Sequence, residues 1–146
     1  MQSLLAAFVI FIMFLFLNMN RSLIVVSIGA TAFIVFAMPD NVTAHPKNVI
    51  GGHLIGFIVG FLLSLIPYYS FLFSVLVYSF AIGFSIFFMV VLNMEHPPAS
   101  ATALGVAMNG FSWKVSLVFF ISIIVLIIVQ RYFKQHLHCL VYSQKK

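Results

Sequence analysis

The sequence predicts an all-α integral membrane protein, a polytopic bundle of transmembrane helices forming one domain over residues 1–146. Three observations carry this. Hydrophobic residues make up 64% of the chain and charged residues only 6%, against roughly 25% charged in soluble globular proteins. The apolar residues fall into long runs separated by Asn, Pro, Arg and Lys. Phe alone occurs 18 times, which excludes disorder, because disordered chains are polar and poor in aromatics.

Six apolar segments follow one another. The first, Leu4 to Leu17, ends at Asn18-Met19-Asn20-Arg21. Met1-Gln2-Ser3 carries no cation and no small-residue cleavage pattern follows the run, so this segment is expected to stay as a membrane helix rather than leave as a signal peptide. The second, Leu23 to Met38, ends at Pro39-Asp40-Asn41, and the third, Val49 to Ile66, stops at Pro67. The fourth, Phe71 to Leu92, is long enough to cross alone, since a straight crossing takes about 20 helical residues at ~1.5 Å each. The fifth, Ala99 to Met108, spans roughly half the hydrocarbon thickness by the same arithmetic. Either it is not a full crossing, or the chain around Glu95-His96-Pro97-Pro98 dips into the membrane ahead of it. Non-helical chain is tolerated there only inside protein or beside a watery cavity. The sixth, Val115 to Val129, ends at Gln130-Arg131. Four to six crossings are compatible with this pattern.

The cations set the orientation. Six crossings place Lys47, Arg131, Lys134, Lys145 and Lys146 on the side of both termini, and Arg21 and Lys114 on the other. Cations concentrate on the cytoplasmic side, so both termini and the 135–146 tail are expected there, in a bacterial inner (plasma) membrane. The formal net charge of +5 is therefore read as topology and contact with anionic membrane lipid, not as a nucleic-acid surface. Trp113 beside Lys114 reads as an interfacial anchor.

An internal repeat is legible. Gly29-Ala30-Thr31-Ala32 in the second segment parallels Ser100-Ala101-Thr102-Ala103 in the fifth. That offset lays segments one to three on segments four to six, giving half-repeats 1–67 and 71–134 of three segments each. An odd number inverts the second half, the architecture of many transporters, with a site near midplane. Small-residue tetrapeptides also occur simply where membrane helices pack closely.

The densest polar cluster is Glu95-His96-Pro97-Pro98-Ala99-Ser100-Ala101-Thr102. Pro97-Pro98 opens a helix but cannot sit inside one. The first N–H groups beyond it lack intrahelical partners and lie at the positive end of the helix dipole. Small side chains let a ligand approach the backbone, and Ser100 and Thr102 add hydroxyls. This is the makeup of an anion site; it is equally the makeup of a capped, tightly packed helix start. Gly29, Ala30 and Thr31, with Ser27, form the counterpart on the second segment. His96 is a candidate donor or proton carrier, with Glu95 as its relay partner, and His53 a candidate facing the same cavity. Lys47 is a topology anchor or an anion-attracting charge. His136, His138 and Cys139 do not have the spacing of a closed metal site, so neither metal nor cofactor is expected.

His96-Pro97-Pro98-Ala99-Ser100-Ala101-Thr102-Ala103-Leu104 resembles the signature of the HPP family of integral membrane proteins. Gly29-Ala30-Thr31-Ala32 with Phe36-Ala37-Met38-Pro39, and His45-Pro46-Lys47-Asn48-Val49-Ile50-Gly51-Gly52-His53, are similar to two further stretches of that family. The resemblance implies a compact bundle, usually described with four spans, and a transport role; plant chloroplast members are associated with nitrite. Ser100 stands where the family often has Gly, Thr31 where Ser is frequent, and Lys47 where Arg is frequent. The first two bear on how closely a ligand approaches. Some relatives carry an additional soluble domain, and regulation by one is not expected here.

The expected function is a transporter or channel for a small monovalent inorganic anion, nitrite-like, in a homo-oligomer. Its site would comprise Gly29–Thr31, His53 and His96–Thr102. A carrier of another small solute and a non-transporting assembly subunit are the rivals. An enzyme is not expected, because neighbouring Glu95 and His96 do not face one another on a helix and no nucleophile set is legible.

Overall fold

The structure, a computed structural model, describes residues 2–16, 22–67 and 70–140. Among these lie six α-helices: α1 (Gln2–Phe16), α2 (Ser22–Ala37), α3 (Pro46–Ser64), α4 (Phe71–Val91), α5 (Pro98–Asn109) and α6 (Trp113–Phe133). All six anticipated segments are helical. Arg21, Lys145 and Lys146, used above for orientation, and the 18–20 stop lie outside the described residues.

Local chemistry sets the ends. Pro46 occupies the first turn of α3, and the Lys47 N–H donates to His45 Nδ1 at 3.3 Å, as pre-set φ and a capping acceptor should. The Phe73 N–H donates to Ser70 Oγ at the start of α4. Asn93 closes α4 with φ 53°. The Met94 N–H reaches the Met89 carbonyl at 2.9 Å and the Asn93 N–H the Val90 carbonyl at 3.1 Å, a Schellman stop that Asn tolerates better than other non-glycines. The chain then runs extended to Pro97-Pro98 and re-enters helix as α5, which Gly110 ends at φ 71°.

α3, α4 and α6 are long and apolar enough to cross a membrane. α5, with 12 residues, is about 18 Å long, so it stops short of a full crossing. It sits at the centre, packed on α2, α3 and α4. Every packed helix pair has a counterpart when α1, α2 and α3 are exchanged for α4, α5 and α6. Thus α1 meets α2 as α4 meets α5, α2 meets α6 as α5 meets α3, and α3 meets α4 as α6 meets α1. This is the pairing that any two-fold repeat of three helices gives.

The α3–α5 contact is the closest in the bundle because glycines on α3 remove the side chains between them. A Cβ at Gly56 would collide with the Ala99 carbonyl, and one at Gly60 with the Ala103 carbonyl. Spaced four apart, these positions form one stripe facing the matching Ala99 and Ala103 on α5, the small-residue packing that membrane helices use in place of a hydrophobic drive.

A core of Ile28, Val35, Phe36, Phe119, Ile123 and Leu126 joins α2 to α6. Phe8, Phe11, Phe71, Phe80, Phe84, Phe87, Trp113 and Tyr132 stay exposed, which suits a surface solvated by hydrocarbon. Both ends of the described chain meet: Gln2 Nε2 donates to the carbonyls of Phe36, at 2.7 Å, and His138, at 2.8 Å, while the Leu140 N–H donates to Ala37. Residues 2 and 138–140 therefore share one end of the bundle with the start of α3.

Candidate functional site

At the centre lies a buried cluster of five side chains from four segments. α2 contributes Ser27 and Thr31, α3 His53, the extended turn before α5 His96, and α5 Thr102; all five are fully buried. Each is placed by a feature described above. Ser27 and Thr31 are one helical turn apart, so both face α5. The α3 glycines bring His53 up to α5, and a Cβ at Gly52 would sit 2.7 Å from the His96 Cβ. The Asn93 stop turns the chain so that His96 points inward.

Seven contacts bind the cluster. His96 Nδ1 lies 2.8 Å from the Thr43 carbonyl and His96 Nε2 3.0 Å from Thr31 Oγ1. Thr31 Oγ1 lies 2.9 Å from the Ser27 carbonyl and 2.8 Å from His53 Nε2. His53 Nδ1 lies 2.9 Å from Thr102 Oγ1, which is 2.7 Å from Ser27 Oγ. Ser27 Oγ closes the run 3.1 Å from the Pro98 carbonyl. A carbonyl only accepts, so Nδ1 of His96 carries hydrogen and its Nε2 faces the Thr31 hydroxyl. The two rings meet edge to face with centroids 4.8 Å apart, and Phe119 closes on His53 at 5.2 Å. Among the described residues no buried side-chain nitrogen or oxygen lacks a partner.

Two spaces flank this cluster. On the side of the chain ends is a vestibule of about 470 Å³, lined by Asp40, Lys47, Asn48, Gln130, Arg131 and Lys134 among others. It shares the 42–48 segment with the cluster: the Thr43 carbonyl holds His96, and Asn48 Nδ2 donates to the Glu95 carbonyl at 3.2 Å. On the opposite side, Thr102 opens on a void of about 10 Å³ walled by Ile24, Phe57, Val106 and Phe119. That is room for about one water at most. The cluster itself is closed on both sides, by the 42–48 segment toward the vestibule and by apolar side chains toward the void.

Of the anticipated residues, Thr31, His53, His96 and Thr102 come together here. Pro98 contributes its carbonyl, and buried Ala99 faces α3. The rest are displaced, each for a physical reason. Gly29 and Ala30 lie on the far face of α2, where Gly29 lines an apolar groove with Gln2 and Phe33 and Ala30 is exposed; residues two and one before Thr31 cannot share its face. Pro97 is exposed, Ala101 half-buried, and the Ser100 hydroxyl bonds back to the Pro97 carbonyl at 2.8 Å. The amides meant to bind the ligand are engaged in the turn, the Ala99 N–H with His96 at 2.9 Å and the Ser100 N–H with Pro97 at 3.2 Å. The polar groups gathered at the centre are therefore side chains, each likewise hydrogen-bonded within the cluster. Glu95 joins through its carbonyl, and the hydrogen-bonded partner of His96 is Thr31. Ser27 and Asn48 complete the arrangement. Ser27, one turn before Thr31, is the hydroxyl the sequence already pairs with it; Asn48 carries no comparable signal.

Comparison with known proteins places this geometry in context. The sequence profile described as "HPP, transmembrane region" matches residues 1–139. A transmembrane protein of Dictyostelium discoideum is 32% identical over 88 residues, 60% of this chain and 31% of that protein. The chain thus covers less than a third of that relative's length. No solved structure matches.

Proposed function

The chain belongs to the HPP family of integral membrane proteins, and from that premise we propose that it carries a small monovalent inorganic anion, nitrite-like, across the membrane. The observation that carries this reading is the vestibule. Three cations, Lys47, Arg131 and Lys134, line it against one acid, Asp40, and its 42–48 wall is hydrogen-bonded to the turn that carries His96. A cleft lined by one sign of charge raises the local concentration of counter-ions. Beyond it, hydroxyls and imidazole N–H groups would exchange their bonds within the cluster for bonds to the anion, in place of the water it must shed. Intramembrane polar groups held in a bundle interior mark solute paths by default.

In the state described the cluster is closed on both sides, with the vestibule on the side of the chain ends. Alternating access would open the apolar wall of Ile24, Phe57, Val106 and Phe119 while closing the vestibule, by rocking one half-repeat on the other. The activity is transport rather than catalysis. The vestibule side is read as cytoplasmic, in a bacterial inner membrane, with the exposed Phe-rich outer faces against lipid tails and, in a homo-oligomer, a second copy.

The test is uptake of nitrite by liposomes carrying the purified protein, with nitrate and chloride as competitors. Saturable nitrite uptake above that of empty liposomes is expected; rates equal to the empty control would overturn the reading.

A further inference from the structure

The cluster is short of hydrogens. With both rings neutral, it holds one hydrogen on each of His53, His96, Ser27, Thr31 and Thr102, and each hydrogen serves one contact. Those five hydrogens face seven contacts, three of which end on carbonyls that only accept. Thr31 Oγ1 lies between the rings: its one hydrogen reaches the Ser27 carbonyl or the Nε2 of one ring, and the Nε2 of the other ring can donate to it. A proton added to either ring satisfies one more contact. Thr31 Oγ1, within hydrogen-bond distance of both Nε2 atoms, thus lies on a path by which a proton can pass between the rings.

We propose that the histidine pair carries one proton with each anion, making transport an electroneutral proton–anion symport; this rests on the anion reading above. The transfer balances through one hydroxyl. The His96 Nε2–H bond breaks as a new O–H bond forms on Thr31 Oγ1. The original Thr31 O–H bond breaks as an N–H bond forms on His53 Nε2. His96 returns to neutral with its hydrogen still on Nδ1, and His53 becomes the cation, donating from Nδ1 to Thr102.

Obligate coupling follows from the surroundings. The pair meets hydroxyls from α2 and α5, the Thr43 carbonyl from the 42–44 turn, and the edge of Phe119 from α6, while α4 brings Met89 beside Gly52. Among the described residues no charged side chain is bonded to either ring. The surrounding titratable groups are Glu95, which borders His96 in sequence, and the vestibule's Asp40, His45, Lys47, Arg131 and Lys134. A lone imidazolium there is an uncompensated buried charge, and so is a lone anion. Together they cancel, so each stabilises the other's occupancy. The mobile load is neutral and the protein returns empty and neutral.

Liposomes holding the protein and a trapped pH dye decide this, with potential set by potassium and valinomycin. Nitrate is the first probe, because its acid is fully dissociated; nitrite is the second, with empty liposomes as blank for nitrous acid. An inward nitrate or nitrite gradient at zero potential should acidify the lumen by about one proton per anion. Imposing ~100 mV of either sign should leave the rate within about twofold. His53→Gln and His96→Gln, whose amides hydrogen-bond but take no proton, should cut anion-driven acidification at least tenfold. Uptake that shifts charge, follows the imposed potential and leaves lumenal pH unchanged would overturn symport while leaving anion transport intact. No uptake of either anion would overturn the transport reading itself. The wild-type potential test decides the matter even where a glutamine variant fails to fold.

Discussion

His53 and His96 share one oxygen. Thr31 Oγ1 stands 2.8 Å from the Nε2 of the first and 3.0 Å from the Nε2 of the second, with the rings crossed at 63°. A residue of α2 thereby bridges α3 to the turn that begins α5. One hydroxyl couples elements 22 and 65 residues apart from it in sequence.

Removing that hydroxyl tests its structural weight. Thr31→Val keeps the shape and strands two buried nitrogens. Each unsatisfied buried group costs about 1–3 kcal/mol, so the melting temperature in detergent should fall by several degrees. Thr31→Ser should melt close to wild type. Equal melting of the valine and serine variants would show that the hydroxyl holds nothing.

The close α3–α5 approach makes Gly56 and Gly83 opposites. Gly56→Val drives a side chain into the Ala99 carbonyl, an overpacking of about 1–3 kcal/mol or more, and should sharply lower the monodisperse yield by size exclusion. Around Gly83, in α4, a Cβ meets nothing within 4 Å. Gly83→Ala should be neutral or raise stability by about 0.5–1 kcal/mol, since alanine costs less backbone entropy in a helix.

Electrostatic capture in the vestibule should be screened by salt. The double variant Arg131→Gln, Lys134→Gln should lower initial nitrite uptake about tenfold at low ionic strength, within the range seen for charge-lined clefts. The difference from wild type should shrink at ~1 M potassium gluconate, where the Debye length is about 3 Å. A deficit unaffected by salt would instead indicate a structural role for these cations.

Phe119 walls the far void and covers His53. Phe119→Ala should cost about 3–5 kcal/mol through its cavity. It should also admit water, giving an anion leak no longer coupled to proton movement, seen as valinomycin-dependent dissipation of a nitrate gradient. A destabilised but tight protein would mean that the barrier lies elsewhere.

The single cysteine, Cys139, is exposed beside the Gln2 tether. An impermeant maleimide should label it in inside-out vesicles and not in intact spheroplasts. The reverse pattern would invert the proposed orientation and place the vestibule outside.

Membership of the membrane class, six helices and their approximate ends followed from composition and local chemistry alone. Runs of Phe, Ile, Leu and Val have no stable place but hydrocarbon. Proline stops or opens helices through its own backbone preferences, so Pro39, Pro67 and Pro97-Pro98 marked ends wherever the chain might fold.

Tertiary structure alone decided which polar groups meet. From sequence, Gly29 to Thr31 formed a block and the amides after Pro98 looked free. In the bundle, helical periodicity turns Gly29 and Ala30 away while Ser27 and Thr31 face inward. The turn before α5 closes on its own amides, and the stripe at Gly52, Gly56 and Gly60 brings His53 to Thr102. A hydrogen bond depends on separations of ~3 Å, and those are set by how closely α3 and α5 approach, which no spacing along the chain encodes.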